Sequence, residues 1–313
     1  MSLKQTIRPW LNRWGVDLVA HHPSVGRAAL HWAKPPVDPA ALPLVAAGKH
    51  PVPVHQIYIT DDGGRELPPF LRMATATVAP SIPRAEHRIH TQSDLREWIA
   101  SEYGLAMQRA FDKLRPYAYQ ADLARYLLLY RLGGWYFDIS IRLMMAFDVP
   151  PEVDLVVFAE NPAHSGLSYG CNNAIIYARA GSPVLAQTIE TCYRNIQREH
   201  YGKNPLYPTG PACLGRAVAQ HDEDLQIILG VFTDLTPAFE RKTKGFVLPD
   251  GQLFALYKPN NGAGRLSDVG VVGSNDYPGF FASRQIYDRS IELPDWPGLP
   301  PVPAPHVIDR TPA

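Results

Sequence analysis

Apolar and polar positions alternate with helical period at the very start of the chain. Ile7, Trp10, Leu11, Trp14 and Leu18 recur at spacings of three and four, with Lys4, Arg8 and Arg13 off the stripe. That pattern predicts an amphipathic helix. Such a helix either rests on an acidic membrane surface or docks its tryptophans onto its own domain. Further on the period shortens to two. Val52–Thr60 is rich in β-branched residues and runs into Asp61-Asp62-Gly63-Gly64, so a strand and then a turn are expected. A short strand over Glu86–Ile89 and a helix over Ser93–Tyr103, capped by Ser93 or Thr91, follow. The clearest helix spans Pro116–Leu132, with Pro116 suited to its first turn and Gly133 to its stop. Its expected buried face is Tyr119, Leu123, Tyr126, Leu127 and Tyr130. Strands are expected over Trp135–Leu143, Leu155–Ala159 and Ala174–Tyr177, and helices over Pro183–Tyr193 and Pro211–Gln220. Strands mixed with helices in this order predict an α/β sheet.

Proline sets the domain boundaries. The chain of 313 residues has 31 prolines, about twice the usual share. They cluster at Pro35–Pro53 and at Pro294–Pro305. The division expected is an N-terminal extension over 1–50, a main domain over 51–290 and a proline-rich C-terminal tail over 291–313. Lys+Arg and Asp+Glu are 30 each, which argues against a nucleic-acid binder. Hydrophobic residues make up 46%, enough for a sizeable core. Cys171, Cys192 and Cys213 are too dispersed for a disulfide framework or a zinc site, so a reducing, cytoplasmic setting is expected. The first 30 residues lack the apolar core and cleavage site of a secretory leader, and no apolar run is long enough to span a bilayer. P-loop, dinucleotide-binding, H-E-x-x-H and G-x-S-x-G patterns are absent.

The stretch with chemistry is Tyr119–Arg142. If Trp135–Leu143 is one strand, Trp135, Phe137, Ile139 and Ile141 share an apolar face, and Tyr136, Asp138, Ser140 and Arg142 share the other. A carboxylate inside a sheet must be paired or bound to a cation; a solvated edge strand is the bland alternative. Asp122 and Arg125 share one face of the preceding helix. A surface ion pair would explain them equally, but Gly133-Gly134 leads straight into the strand and brings them toward Asp138. Ligands of open α/β sheets gather at the carboxyl ends of strands.

Ala121, Asp122, Arg125, Tyr126, Leu129, Gly133, Gly134, Tyr136 and Asp138 stand in the register S/A-D-x-x-R-Y-x-x-L-x-x-x-G-G-x-Y-x-D-x-D. This segment resembles the sugar-binding region with a DXD motif in glycosyltransferase family 32. The likeness extends more weakly to Val52–Tyr58 (an opening strand), Asn172-Asn173-Ala174, Thr209-Gly210-Pro211 and Gly273–Tyr277, and so covers roughly residues 52–288. The resemblance implies a GT-A fold, a single Rossmann-like mixed sheet with helices on both faces. It implies a retaining hexosyltransferase acting from a nucleotide-diphosphate sugar on a glycan or lipid-linked acceptor, in surface polysaccharide synthesis. By the same carry-over Asp122, Arg125 and Asp138 are catalytic. His55, Gln56, Ile57, Gly134, Tyr136, Asn172, Asn173, Asn275 and Tyr277 bind the donor. Asp138, Ser140 and Asp276 are placed at a divalent metal, Mn²⁺ or Mg²⁺.

One departure weakens the metal. The second aspartate of the motif is Ser140, a neutral and poorer ligand. Either Asp276 or Asn275 completes the site, or basic residues such as Arg142, Lys258 or Arg265 neutralise the phosphates, or the protein binds a donor and turns over poorly. Three functional readings follow: an enzyme; a binding protein on the same fold; or a scaffold of a polysaccharide assembly complex that uses the Trp10/Trp14 helix and the tail as contacts. Membrane contact through the first 34 residues fits a cytoplasmic protein at the inner face of the membrane. For His55 a hydrogen-bonded core role is as reasonable as the floor of a nucleotide pocket; Asn172 and Asn173 fit a turn as well as a sugar contact; and the Gly262–Gly279 stretch is either a loop that closes over the donor or a surface connection.

Overall fold

The computed structural model describes residues 51–221, 225–235, 244–258 and 276–302. The N-terminal extension with its tryptophan stripe, Arg265, Asn275 and the end of the tail lie outside them. β1 (Val52–Ile57) is flanked in parallel by β2 (Ala85–His90) and β3 (Gly134–Phe137). β4 (Arg142–Leu143), β5 (Leu155–Ala159), β6 (Cys171–Ala178), β7 (Ile227–Asp234), β8 (Lys244–Val247) and β9 (Leu253–Leu256) complete a mixed nine-stranded sheet among the described residues. The order is β2-β1-β3-β6-β5-β7-β8-β9-β4.

The helices are α1 (Pro69–Thr75), α2 (Val78–Ser81), α3 (Gln92–Lys113), α4 (Tyr117–Leu132), α5 (Pro162–Ser165), α6 (Pro183–Gln197), α7 (Pro211–His221) and α8 (Tyr277–Ala282). Alternation along the strands sorts the core into two layers. Tyr136, Leu155, Val157 and Ile176 point toward α3, α4, α6 and α7. Trp135, Phe137, Val156 and Phe158 point the other way, where Phe246 and Phe254 from the curled β8 and β9 meet them beside Val78 and Ile82 of the α2 region. The α/β arrangement expected from the sequence, one mixed Rossmann-like sheet with helices on both faces, is therefore present.

Several boundaries move. α3 runs on to Lys113 through a break at Gly104 (φ 78°), and Thr91 caps it with a reciprocal box to Asp94. α4 is buried from Asp122 through Leu129 rather than along one stripe, because the sheet, α3 and α6 enclose it; Tyr130, expected inside, is only partly covered. The expected strand Trp135–Leu143 is two strands. The chain leaves β3 at Asp138, whose carbonyl accepts from the Ile141 amide (2.9 Å) and closes a turn. The proposed face of Tyr136, Asp138, Ser140 and Arg142 thus does not exist: Ser140 is buried and Arg142 exposed on β4. The described part of the tail is laid across the helices. Lys113 donates to the Ile291 carbonyl (2.9 Å), Tyr193 to Pro294 (2.7 Å) and Arg131 to Pro301 (2.8 Å).

The junction of α4 and β3 admits only glycine. Gly133 (φ 66°) ends the helix, and Gly134 (φ 88°) passes so close to β1 that an added Cβ would lie 2.1 Å from the Pro53 carbonyl oxygen. Gly134→Ala is expected to cost roughly 3 kcal/mol or more, because neither the backbone contact nor the positive φ can relax cheaply. A thermal midpoint unchanged by this substitution would contradict the packing described.

Candidate active site

α4 delivers Asp122 and Arg125, three residues apart, to the carboxyl end of β3. Both are buried. Every face of the Arg125 guanidinium is occupied. Its Nε donates to the Ala121 carbonyl (3.1 Å), and its Nη1 to Asp138 Oδ1 (2.9 Å) and to the Asn173 carbonyl (2.6 Å). Nη2 pairs with Asp122 Oδ1 (3.1 Å), and the group lies 4.4 Å from the centre of the Tyr136 ring. Asp122 also accepts from Asn173 Nδ2 (2.8 Å) and from Thr209 Oγ1 (2.9 Å). Asn173 Nδ2 reaches the Tyr126 hydroxyl as well (2.8 Å). One network therefore ties α4, β3, β6 and the turn before α7. A buried ion set of this kind is costly to break at one member, since the partner is left charged and dry.

Asp138 is the member that faces out. Its Oδ1 accepts from Arg125 and from the Tyr136 hydroxyl (2.8 Å). Its Oδ2 takes no hydrogen bond from the described residues, and the side chain is 29% exposed. Burial pushes the Asp122 carboxyl up to about 6, against the opposing pull of Arg125, Thr209 and Asn173. Burial works against the Arg125 charge, yet Asp138, Tyr136 and Asp122 together hold it above its ordinary value.

These groups open onto a cavity of about 230 Å³. Asp122, Arg125, Asp138, Asn172 and Asn173 line one side, with Tyr277 from α8. Glu160, Phe232, Lys244 and Tyr257 line another. Glu160 accepts from Asn172 Nδ2 (2.9 Å), and burial raises its carboxyl. Sequence reasoning missed this second wall. Glu160 carried a legible signal, a carboxylate directly after the apolar strand β5. Lys244 carried none, because only the curl of the sheet brings β8 here. Thr209 belongs to a stretch of weaker likeness, and its bond to Asp122 is a tertiary fact.

Other expected site residues lie elsewhere. Gln56 stands behind the site: it donates to the Asp138 carbonyl (3.3 Å) and takes a bond from His87 (2.8 Å). Tyr136 is buried beneath Asp138, Ile57 is core, and Gly134 packs on Pro53. His55 is buried and bonded to the half-buried His90 on β2 (3.2 Å), a histidine pair that does not line this cavity. Asp276 caps α8 through the Gly279 amide. The three cysteines are buried free thiols.

Glycosyltransferases with a DXD motif generally use a divalent metal. Here the expected trio does not meet, since of Asp138, Ser140 and Asp276 only Asp138 lines the cavity. Among the described residues no three His, Cys, Asp or Glu side chains are placed so that they could hold a metal ion together. One open carboxylate oxygen is a poor match to a cation that wants six or more oxygens, so the described residues do not fit a metal.

The mixed sheet with its helices and the polar cavity at the carboxyl end of β3 define an α/β protein with a candidate ligand site. Residues 71–152 match the glycosyltransferase sugar-binding region containing a DXD motif, and over that segment the chain is similar to that family. It is 27% identical over 162 residues to inositol phosphoceramide mannosyltransferase 3 of Schizosaccharomyces pombe, covering 51% of this chain and 42% of that protein. The chain thus spans under half the length of that relative. Among solved structures, the PaToxG glycosyltransferase superposes with a TM-score of 0.42 at 17% identity, over 69% of this chain and 80% of that one.

The histidine pair gives a pH prediction. Burial lowers His55 to about 3, helped by His90, and lowers His90 to about 4 against the pull of Asp94. Both folded values lie below the unfolded value of 6.5. The unfolded chain therefore takes protons first, and the stability from this pair is full above about pH 6.5 and lost as pH falls toward 4. Asp122 acts oppositely, losing stability as pH rises through about 6, but two imidazoles outweigh one carboxyl. Thermal stability is expected to weaken from about pH 6.5 downward, and His90→Gln to flatten that slope. An equally steep fall in the variant would place the controlling protonation elsewhere.

Proposed function

We propose that this protein transfers a hexosyl group from a nucleotide-diphosphate sugar to a hydroxyl of a glycan or lipid-linked acceptor, with retention at the anomeric carbon. One observation carries the reading: Asp138 at the end of β3, clamped through Oδ1 by Arg125 and Tyr136, presents Oδ2 to the cavity. That oxygen accepts a hydroxyl of the donor's sugar or ribose. Asp122 and Arg125, whose polar atoms are taken up internally, act as positioning residues. Asn172, Glu160 and the aromatic wall of Phe232, Tyr257 and Tyr277 offer hydrogen bonds and flat apolar faces suited to a sugar ring. The acceptor oxygen bonds to the anomeric carbon from the face the diphosphate leaves. The carbon–phosphate-oxygen bond breaks, and the acceptor proton passes to the departing phosphate. The likeness to a mannosyltransferase supports mannosyl as the first group to test. The tryptophan stripe near the N-terminus supports a cytoplasmic protein resting on a membrane that carries lipid-linked acceptors, as in surface polysaccharide synthesis. Ser140 favours a second reading, a protein that binds the donor without turning it over.

The test is Asp138→Asn against a panel of nucleotide sugars. Asparagine keeps an acceptor for Arg125 and Tyr136, so folding is expected to survive, while transfer falls about a hundredfold or more. Retained transfer would remove Asp138 from the site. Donor binding by the unaltered protein with no transfer to any acceptor would favour the second reading.

A further inference from the structure

We propose that Lys244 neutralises the diphosphate of the bound donor and stands in for the divalent cation that the Ser140 site lacks. The inference deepens the nucleotide-sugar reading above and rests on it. Three carboxylates, Asp122, Asp138 and Glu160, line the cavity. A diphosphate brought beside Asp138 meets repulsion unless a cation compensates it. Arg125 cannot serve, because its guanidinium is spent on Asp122, Asp138 and two carbonyls. The motif position that would bring a second carboxylate to a metal is Ser140, which is neutral, buried and off the cavity.

Lys244 is placed to act. It is the first residue of β8, paired with Asp234 of β7, and half-buried on the cavity wall. Its ammonium lies 5.6 Å from the centre of the Phe232 ring, which orients it without consuming its donors. No carboxylate or carbonyl among the described residues takes a side-chain hydrogen bond from it. Its charge nevertheless reaches Glu160 and partly offsets the effect of burial there. The basic residues expected for this role fare worse: Arg142 is exposed on β4, and neither it nor Lys258 lines the cavity. A lysine ammonium with open donors is a well-attested phosphate partner.

The experiment is calorimetric titration of the full chain with UDP, GDP and inorganic pyrophosphate, each in EDTA and in Mn²⁺. The proteins are the unaltered chain, Lys244→Met, Lys244→Gln and the charge-keeping Lys244→Arg. In EDTA the unaltered protein is expected to bind a nucleoside diphosphate. Lys244→Met and Lys244→Gln should weaken it about tenfold or more, and Lys244→Arg much less. Two neutral variants guard against a folding defect in one. If binding requires Mn²⁺, or if both neutral variants bind in EDTA as the unaltered protein does, Lys244 is overturned while the donor reading stands. If pyrophosphate binds through Lys244 and no nucleotide does, the phosphate site stands and the donor reading falls. If neither pyrophosphate nor nucleotide binds in EDTA, the inference is overturned.

Discussion

The buried guanidinium of Arg125 is the interaction on which the rest depends. It joins α4 to the end of β3 through Asp138 and to the start of β6 through the Asn173 carbonyl. Asp122, Asn173 and Thr209 then extend the same network to the turn before α7. A charge held this far from water persists only when each of its donors has a partner. The same bonds therefore fix four elements relative to one another and set the orientation of Asp138. Stability and site geometry are one problem here, since loosening the clamp would free the carboxylate and leave a charge uncompensated in the core.

The backbone around the clamp is equally constrained. Gly133 and Gly134 let a helix end and a strand begin with no intervening loop, so the face of α4 carrying Asp122 and Arg125 meets the far end of that strand. The chain then turns at Asp138 because two groups claim its carbonyl, the Ile141 amide and the Gln56 side chain. That turn lifts Asp138 out of the sheet plane and toward the cavity. Gln56 and Tyr136 touch nothing in the cavity, yet they determine where the carboxylate points.

Electrostatics distinguishes the two walls. One wall carries Asp122 and Asp138 around a cation whose donors are saturated. The other carries Glu160 beside Lys244, which leans on an aromatic ring. The lysine gives the second wall a positive charge, and the space between the walls is lined by both polar and aromatic groups. Serine at position 140 adds no charge to either wall, because it is neutral, buried and off the cavity.

Local pattern determined much of this protein. The period of apolar residues located most of the strands and helices, Thr91 and Gly133 marked helix ends, and the spacing of Asp122, Arg125, Gly133, Gly134 and Asp138 brought the clamp residues to one end of one strand. Those features depend on neighbours within a few turns of chain, which is why they were readable. Tertiary structure decided the rest. α4 is buried on all sides because three elements enclose it, which no single-helix pattern reports. The strand after Gly134 breaks at Asp138, where the Ile141 amide closes a turn on the carbonyl and a glutamine some eighty residues earlier also takes it. His55, readable either as a ligand group or as core, is buried and off the cavity because β2 brings His90 beside it. Glu160, legible as a carboxylate directly after an apolar strand, shares its cavity with Lys244 only because the sheet curls, a long-range consequence of strand twist and aromatic packing that leaves no mark in the sequence near Lys244.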